Sequence, residues 1–264
     1  CYLSSLFVMT IKDISLVGIV NLSRVMLGDL NNTDTLAATI YGLMTSVGIG
    51  CISVLFSKEH NWGLRLWCFA ISILSVLVVI HLVNRTGIVI FICCILASAI
   101  LSTQMSFSKI IPVLILISVV AVLITKTGII NEEILDAYLQ REMNSTSNAA
   151  ELGGRSAIWG DALSKLVTHP FGWPRVHHAH NLWLDIARVG GWISFFLFMI
   201  PSIIWVKQCF RLSRKKITPF ILLLLSINIA TFLSSFVEPV IDASMLFFSL
   251  FMMIWGCTAS ISKE

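Results

Sequence analysis

Seven apolar runs, at about 36–56, 66–83, 86–103, 109–125, 189–206, 217–236 and 241–260, approach the roughly 20 residues a helix needs to cross a bilayer. No other feature limits the fold as much. Within hydrocarbon every backbone N–H and C=O must find a partner inside the protein, so such runs are helices. An eighth run, about 3–22, carries Lys12 and Asp13 near its middle. Each charge there costs a few kcal/mol unless it is paired or faces protein. That run is either a span packed against more protein or an interfacial helix.

Composition agrees with this reading. The chain is 57% hydrophobic and only 12% charged, with a mean hydropathy of +0.90, whereas soluble domains carry about 25% charge. A water-facing surface cannot be covered with so little charge. The net charge of +4 is modest, and basic residues are not interleaved with aromatics along one face, which excludes a nucleic-acid binder. The seven cysteines show no paired C-x-x-C spacing, so neither a disulfide frame nor a zinc ribbon is expected. The chain opens at Cys1 with no initiator methionine and no charged stretch ahead of its first apolar run. We therefore expect no signal peptide, and a piece of a longer membrane protein.

The expected fold class is all-α, a polytopic membrane helix bundle of about seven to eight spans. Its expected parts are N-terminal spans over 1–125, a large non-cytoplasmic loop over 126–188, and C-terminal spans over 189–264. Orientation follows from the connection at 207–216, where Lys207, Arg211, Arg214, Lys215 and Lys216 occur without an acid. The positive-inside rule puts it in the cytoplasm, and alternation brings the connections with Lys58, Arg65 and Lys109 to the same side. The opposite face then holds 21–35, the tight connection Asn84-Arg85-Thr86-Gly87, the loop 126–188, and a turn around Glu238 and Pro239.

Within the loop, 132–150 is polar and reads as a surface helix followed by a linker. Residues 156–167 have apolar positions at helical spacing, with Ser156 as a plausible N-cap and His169-Pro170 as a stop. A turn-rich stretch follows, with His177, His178 and His180. Asn181 then opens a helix that runs through Gly190-Gly191 into the next span.

This topology brings Arg24, Arg85, Arg155, Arg175 and the three histidines to one face, although they lie far apart in sequence. Arginine presents a planar fork that pairs bidentately with phosphate oxygens, so the matching ligand near the headgroups is a lipid phosphate or diphosphate. A lone arginine at a helix end also serves as a snorkelling anchor, and a lone loop arginine as a solvated charge. His180 precedes a helix N-terminus, where the positive end of the dipole disfavours imidazolium and leaves a ring able to accept a proton. Its plain structural reading is packing beside the Asn181 cap. Imidazoles also suit zinc or copper, but this cluster has no cysteine nearby, and no metal or other cofactor is expected.

The order Gly154-Arg155-Ser156-Ala157-Ile158-Trp159, His169-Pro170-Phe171-Gly172, Ala179-His180-Asn181-Leu182 and Gly190-Gly191 resembles the bacterial O-antigen ligase and O-antigen polymerase superfamily. Upstream, Asn84-Arg85-Thr86-Gly87 looks like that family's Ser-Arg-Thr/Gly-Gly element, and Arg24 to Asn32 loosely resembles its Arg-x-x-x-Gly and Pro-Asn step. Asn84 stands where serine is common, Asn31-Asn32-Thr33 where Pro-Asn is, and Phe171-Gly172-Trp173 where Gly-x-Gly is usual. Members have more spans than this chain, which implies that further N-terminal spans precede it.

The resemblance implies an inverting, metal-independent membrane glycosyltransferase of surface-polysaccharide or lipopolysaccharide biosynthesis. It would transfer or polymerise glycan from an undecaprenyl-diphosphate carrier onto a glycan or lipid A core acceptor, on the periplasmic face of the bacterial inner membrane. Carried over, Arg85 and Arg155 would hold the diphosphate, with Arg24 a further contact. His180 would activate the acceptor hydroxyl, and His178 would assist. The competing reading is a lipid-linked glycan flippase or other transporter, which calls for ionisable residues inside the spans. Few occur there beyond Lys12, Asp13, Glu238 and Asp242.

Overall fold

A computed structural model describes residues 2–28, 35–57, 61–103, 132–143, 155–174, 179–243 and 245–263. The chain is a helical bundle. Its helices are α1 (Tyr2–Val17), α2 (Ala38–Gly50) continued by a 3-10 segment (Cys51–Phe56), α3 (Trp62–His81), α4 (Arg85–Thr103) and α5 (Glu132–Met143). Then follow α6 (Arg155–Thr168), α7 (Leu182–Ser213), α8 (Pro219–Val237), the single turn α9 (Val240–Ala243) and α10 (Met245–Lys263). Two three-residue strands, β1 (Val25–Leu27) and β2 (Thr35–Ala37), pair antiparallel in the register Met26 opposite Leu36.

Six of these segments are long and apolar enough to cross a membrane: Ala38–Phe56, Trp62–His81, Arg85–Ser102, Leu182–Ser213, Pro219–Val237 and Met245–Lys263. They coincide with six of the seven expected spans; the seventh, 109–125, lies outside the described residues. Their outer surfaces are apolar. On α7, Ile193, Phe196, Leu197, Ile200, Ile203 and Ile204 are all exposed, a continuous stripe that water would penalise and lipid accepts. The protein is a membrane protein by this criterion.

α2 and α8 form the centre, and small residues let them close. A Cβ on Gly50 would sit 3.0 Å from the backbone of Ile227 on α8, and one on Gly48 would overlap Ser75 of α3; such small-residue contacts are how membrane helices approach without a hydrophobic driving force. Polar groups add a second tie. Trp205 on α7 donates to Asn228 Oδ1 at 2.6 Å, and Asn228 Nδ2 donates to Leu224 O and to Thr258 Oγ1 on α10 at 2.7 and 2.9 Å. The Trp205 ring stacks on Trp255 at 4.5 Å.

Three boundaries differ from expectation. α1 has 16 residues and is not among the membrane-length helices. Its Asp13 is buried against His81 at the end of α3, Oδ2 to Nε2 2.7 Å, and accepts from Asn21 Nδ2 at 3.0 Å. Facing protein is therefore how the interrupting charge is accommodated. The basic connection expected at 207–216 is shorter: α7 carries Lys207 and Arg211 down to Ser213, and Arg65 likewise lies inside α3. The amphipathic helix opens at Arg155 rather than after a Ser156 cap. Long basic side chains tolerate helix ends at a membrane surface because their stems lie on apolar surface while their heads reach water.

Candidate functional site

Connections at one end of the bundle converge. Arg24 ends the loop after α1, with its amide donating to Asn21 O at 3.2 Å and its carbonyl accepting from Ala38 N at 2.8 Å. Arg85 opens α4, after a turn in which Asn84 N donates to Val79 O at 2.9 Å and Asn84 Oδ1 accepts from Gly87 N at 3.3 Å. Arg155 opens α6. Its Nη2 lies 3.7 Å from Oε1 of Glu238, the C-cap of α8, whose side chain is 7% exposed.

Arg24 is within electrostatic reach of all of these. Burial pushes its guanidinium below the ordinary pKa; Glu238 opposes that shift, while Arg155 and Arg85 reinforce it. Arg24 Nε is buried and has no hydrogen-bond partner among the described residues. Arg85 Nη2 is 3.5 Å from Tyr138 O on α5, whose Ala137 packs on Val20 and Val83 beneath the two arginine-bearing loops. Arg85, Arg155 and Glu238 thus all lie within electrostatic reach of Arg24, and the three arginines come from positions 60 or more residues apart in the chain for each successive pair.

His180 is held from both sides. Asp185, fully buried in the first turn of α7, accepts from the amides of Ala179 at 2.8 Å and Asn181 at 3.3 Å. The Ala179 carbonyl accepts from Trp159 Nε1 at 2.9 Å, and Trp159 lies one turn along α6 from Arg155. Asn181 caps α7, its Oδ1 accepting from Trp183 N and Leu184 N at 3.1 and 3.2 Å. The arrangement ties the histidine-bearing loop to the arginine-bearing helix.

The turn after α6 and the Gly190-Gly191 kink in α7 belong to the same frame. Gly191 has φ +62°, and a Cβ there would lie 1.9 Å from Pro170 O; Gly172, at φ +95°, would put its Cβ 2.6 Å from Arg188 O. Only glycine permits both the left-handed backbone and the close approach. The contact is sealed by Trp192 N donating to Pro170 O at 2.9 Å and Trp173 N to Arg188 O at 3.0 Å.

Among the described residues, the non-glycine positions with positive φ are Arg24, Val83 and His180, at +59°, +49° and +50°. Such conformations cost about 1–3 kcal/mol each and persist where the surroundings over-determine them. All three lie at, or two residues from, an expected site residue.

Of the residues expected to form a site, Arg24 lies within electrostatic reach of Arg85 and Arg155, and the residue before His180 is tied to α6 by the bond from Trp159 to Ala179 O. His178, with Arg175 and His177, lies outside the described residues. Among the described residues no three His, Cys, Asp or Glu side chains gather as a metal site would need. Glu238, Asp185, His81 and Asp13 had no assigned role from sequence. The available signal was an acid at the outer end of an apolar run for Glu238, and an acid four residues after a helix cap for Asp185. The sequence matches no protein-family model and no characterised protein.

Proposed function

We propose that this chain is a membrane glycan transferase of the O-antigen ligase and polymerase type, taking its donor from an undecaprenyl-diphosphate carrier at the outer face of the bacterial inner membrane. The observation that carries the reading is that Arg85, Arg155 and Glu238 all lie within electrostatic reach of Arg24, with Arg155 paired to Glu238, at one end of a bundle with an apolar outer surface. Three guanidiniums less one carboxylate leave two positive charges, the complement of a diphosphate diester. Headgroup depth at a helix end suits a phosphate whose lipid tail stays in the bilayer.

In the proposed step an acceptor hydroxyl attacks the anomeric carbon of the donor sugar opposite the diphosphate, with inversion. The new glycosidic C–O bond forms as the bond from carbon to diphosphate oxygen breaks, and the electron pair leaves on that oxygen, facing the arginines. The hydroxyl proton passes to His180, with His178 as a second candidate in the same loop. A positioned base contributes on the order of 10² or more in rate, and charge stabilisation at the departing oxygen a similar factor. The strained His180 backbone, clamped between two amides bound to Asp185, is the kind of fixed base this chemistry calls for. The acceptor is a glycan or lipid A core.

The test is glycan transfer in membranes from a strain lacking this gene, complemented with wild type, His180→Ala or Arg155→Ala at equal expression. Consumption of lipid-diphosphate-linked glycan by wild type and its accumulation with the variants is the expected result. A donor that changes leaflet without being consumed would replace transfer with flipping, and equal consumption with and without the protein would end the proposal.

A further inference from the structure

We infer, taking the arginine cluster as the diphosphate site proposed above, that Asp13 and His81 are positioning residues, fixing the loop that ends in Arg24 in its anion-binding geometry. His81 is fully buried at the C-terminal end of α3, and Asp13 is 4% exposed. His81 Nδ1 lies 2.8 Å from Ile19 O, and a carbonyl only accepts, so Nδ1 bears a hydrogen. Nε2 meets Asp13 Oδ2 at 2.7 Å.

The pair does not end there. The same Asp13 oxygen accepts from Asn21 Nδ2 at 3.0 Å, and Asn21 Nδ2 also donates to Val25 O at 2.8 Å, while Asn21 N donates to the His81 carbonyl at 2.7 Å. Asn21 Oδ1 accepts from Ser23 N at 3.1 Å and Ser23 Oγ at 2.5 Å, and Asn21 O accepts from Arg24 N at 3.2 Å. Asn21 thus uses its backbone and side chain alike to wrap the loop that ends in Arg24. Both neighbours of the network have strained backbones: Arg24 at φ +59° and Val83 at +49°, the latter between His81 and Arg85. One buried histidine stands where the two arginine-bearing loops meet. Burying two ionisable groups is costly, and replacing such a pair with apolar residues is often neutral for stability, so geometry rather than stability is what the pair provides.

The experiment uses the full chain in detergent with inorganic pyrophosphate as the probe, comparing wild type, Arg24→Ala, His81→Gln, Asn21→Ala and the double variant His81→Gln/Arg24→Ala. Arg24→Ala is expected to weaken pyrophosphate about tenfold, the worth of one charge-assisted contact. His81→Gln and Asn21→Ala are expected to match it, and the double variant to be no worse than Arg24→Ala, because residues acting through one group are not additive. In donor consumption His81→Gln should raise KM by a similar factor with kcat within about twofold. Should His81→Gln fail to fold, Asn21→Ala carries the comparison, since it removes the side-chain bonds to Asp13, Ser23 and Val25 that shape the loop ending in Arg24 and leaves the Asp13–His81 pair. Wild-type pyrophosphate affinity in folded His81→Gln or Asn21→Ala, losses that multiply in the double variant, or a collapse of kcat would overturn positioning. An Arg24→Ala variant that binds as wild type would instead overturn the diphosphate reading itself.

Discussion

Glu238 Oε1 lies 3.7 Å from Arg155 Nη2, so the cap of α8 holds the first residue of α6 across the mouth of the bundle. Under the proposed function the diphosphate would compete with Glu238 for Arg155.

From that competition, Glu238→Gln should bind pyrophosphate more tightly than wild type while melting at a lower temperature. The pair is part-exposed on the arginine side, so its loss costs only about 1 kcal/mol. Melting curves with and without pyrophosphate read both effects. Equal ligand-induced shifts in the two proteins would mean that Glu238 does not face the anion.

Asp185→Ala removes the acceptor for two backbone amides and leaves buried Arg188, whose Nε is 3.6 Å from Asp185 Oδ1, without that carboxylate. A loss of about 3–5 kcal/mol is expected. Asp185→Asn keeps one acceptor and should cost less. Thermal unfolding ranks them, and donor turnover should fall in Asp185→Asn even where it stays folded, because one of the two amides flanking His180 loses its acceptor.

Gly191→Ala should abolish folded protein. Its Cβ would overlap Pro170 O and its backbone sits at φ +62°, two penalties that together exceed about 4 kcal/mol. Gly256→Ala, on α10, meets nothing within 4 Å and should behave as wild type. Size-exclusion profiles of the two variants at matched expression decide this; a monodisperse Gly191→Ala peak would refute it.

Asn228→Leu strips Trp205 Nε1 and Thr258 of their partner at the junction of α7, α8 and α10. Hydrogen bonds between membrane helices are worth about 0.6–2 kcal/mol each, so a loss of about 1–3 kcal/mol is expected. Unfolding in detergent measures it, and full retention of stability would show that stacking of Trp205 on Trp255 alone holds the junction.

The sequence made much of the frame legible. The helix opening at Leu182 could be read with its capped start because Asn181 is a capping residue and the apolar pattern that follows is local, but its end was expected near 206 rather than at Ser213. The stop at His169-Pro170 could be read from the proline, which cannot continue a helix. The kink at Gly190-Gly191 was visible only as two glycines. That it exists to admit Pro170 depends on a backbone twenty residues away.

What the sequence by itself determined is which of the described segments are long and apolar enough to leave water. Transfer of apolar residues into hydrocarbon is close to additive along a window of about 20 residues, so neighbours in the chain suffice. Only the tertiary structure decided that Asp13 meets His81, that Glu238 meets Arg155, and that Arg24, Val83 and His180 adopt left-handed backbones. Those outcomes depend on short-range contacts between groups distant in sequence. A hydrogen bond of 2.7 Å, or a Pro170 carbonyl so close to Gly191 that no side chain fits, exists only once the helices have packed.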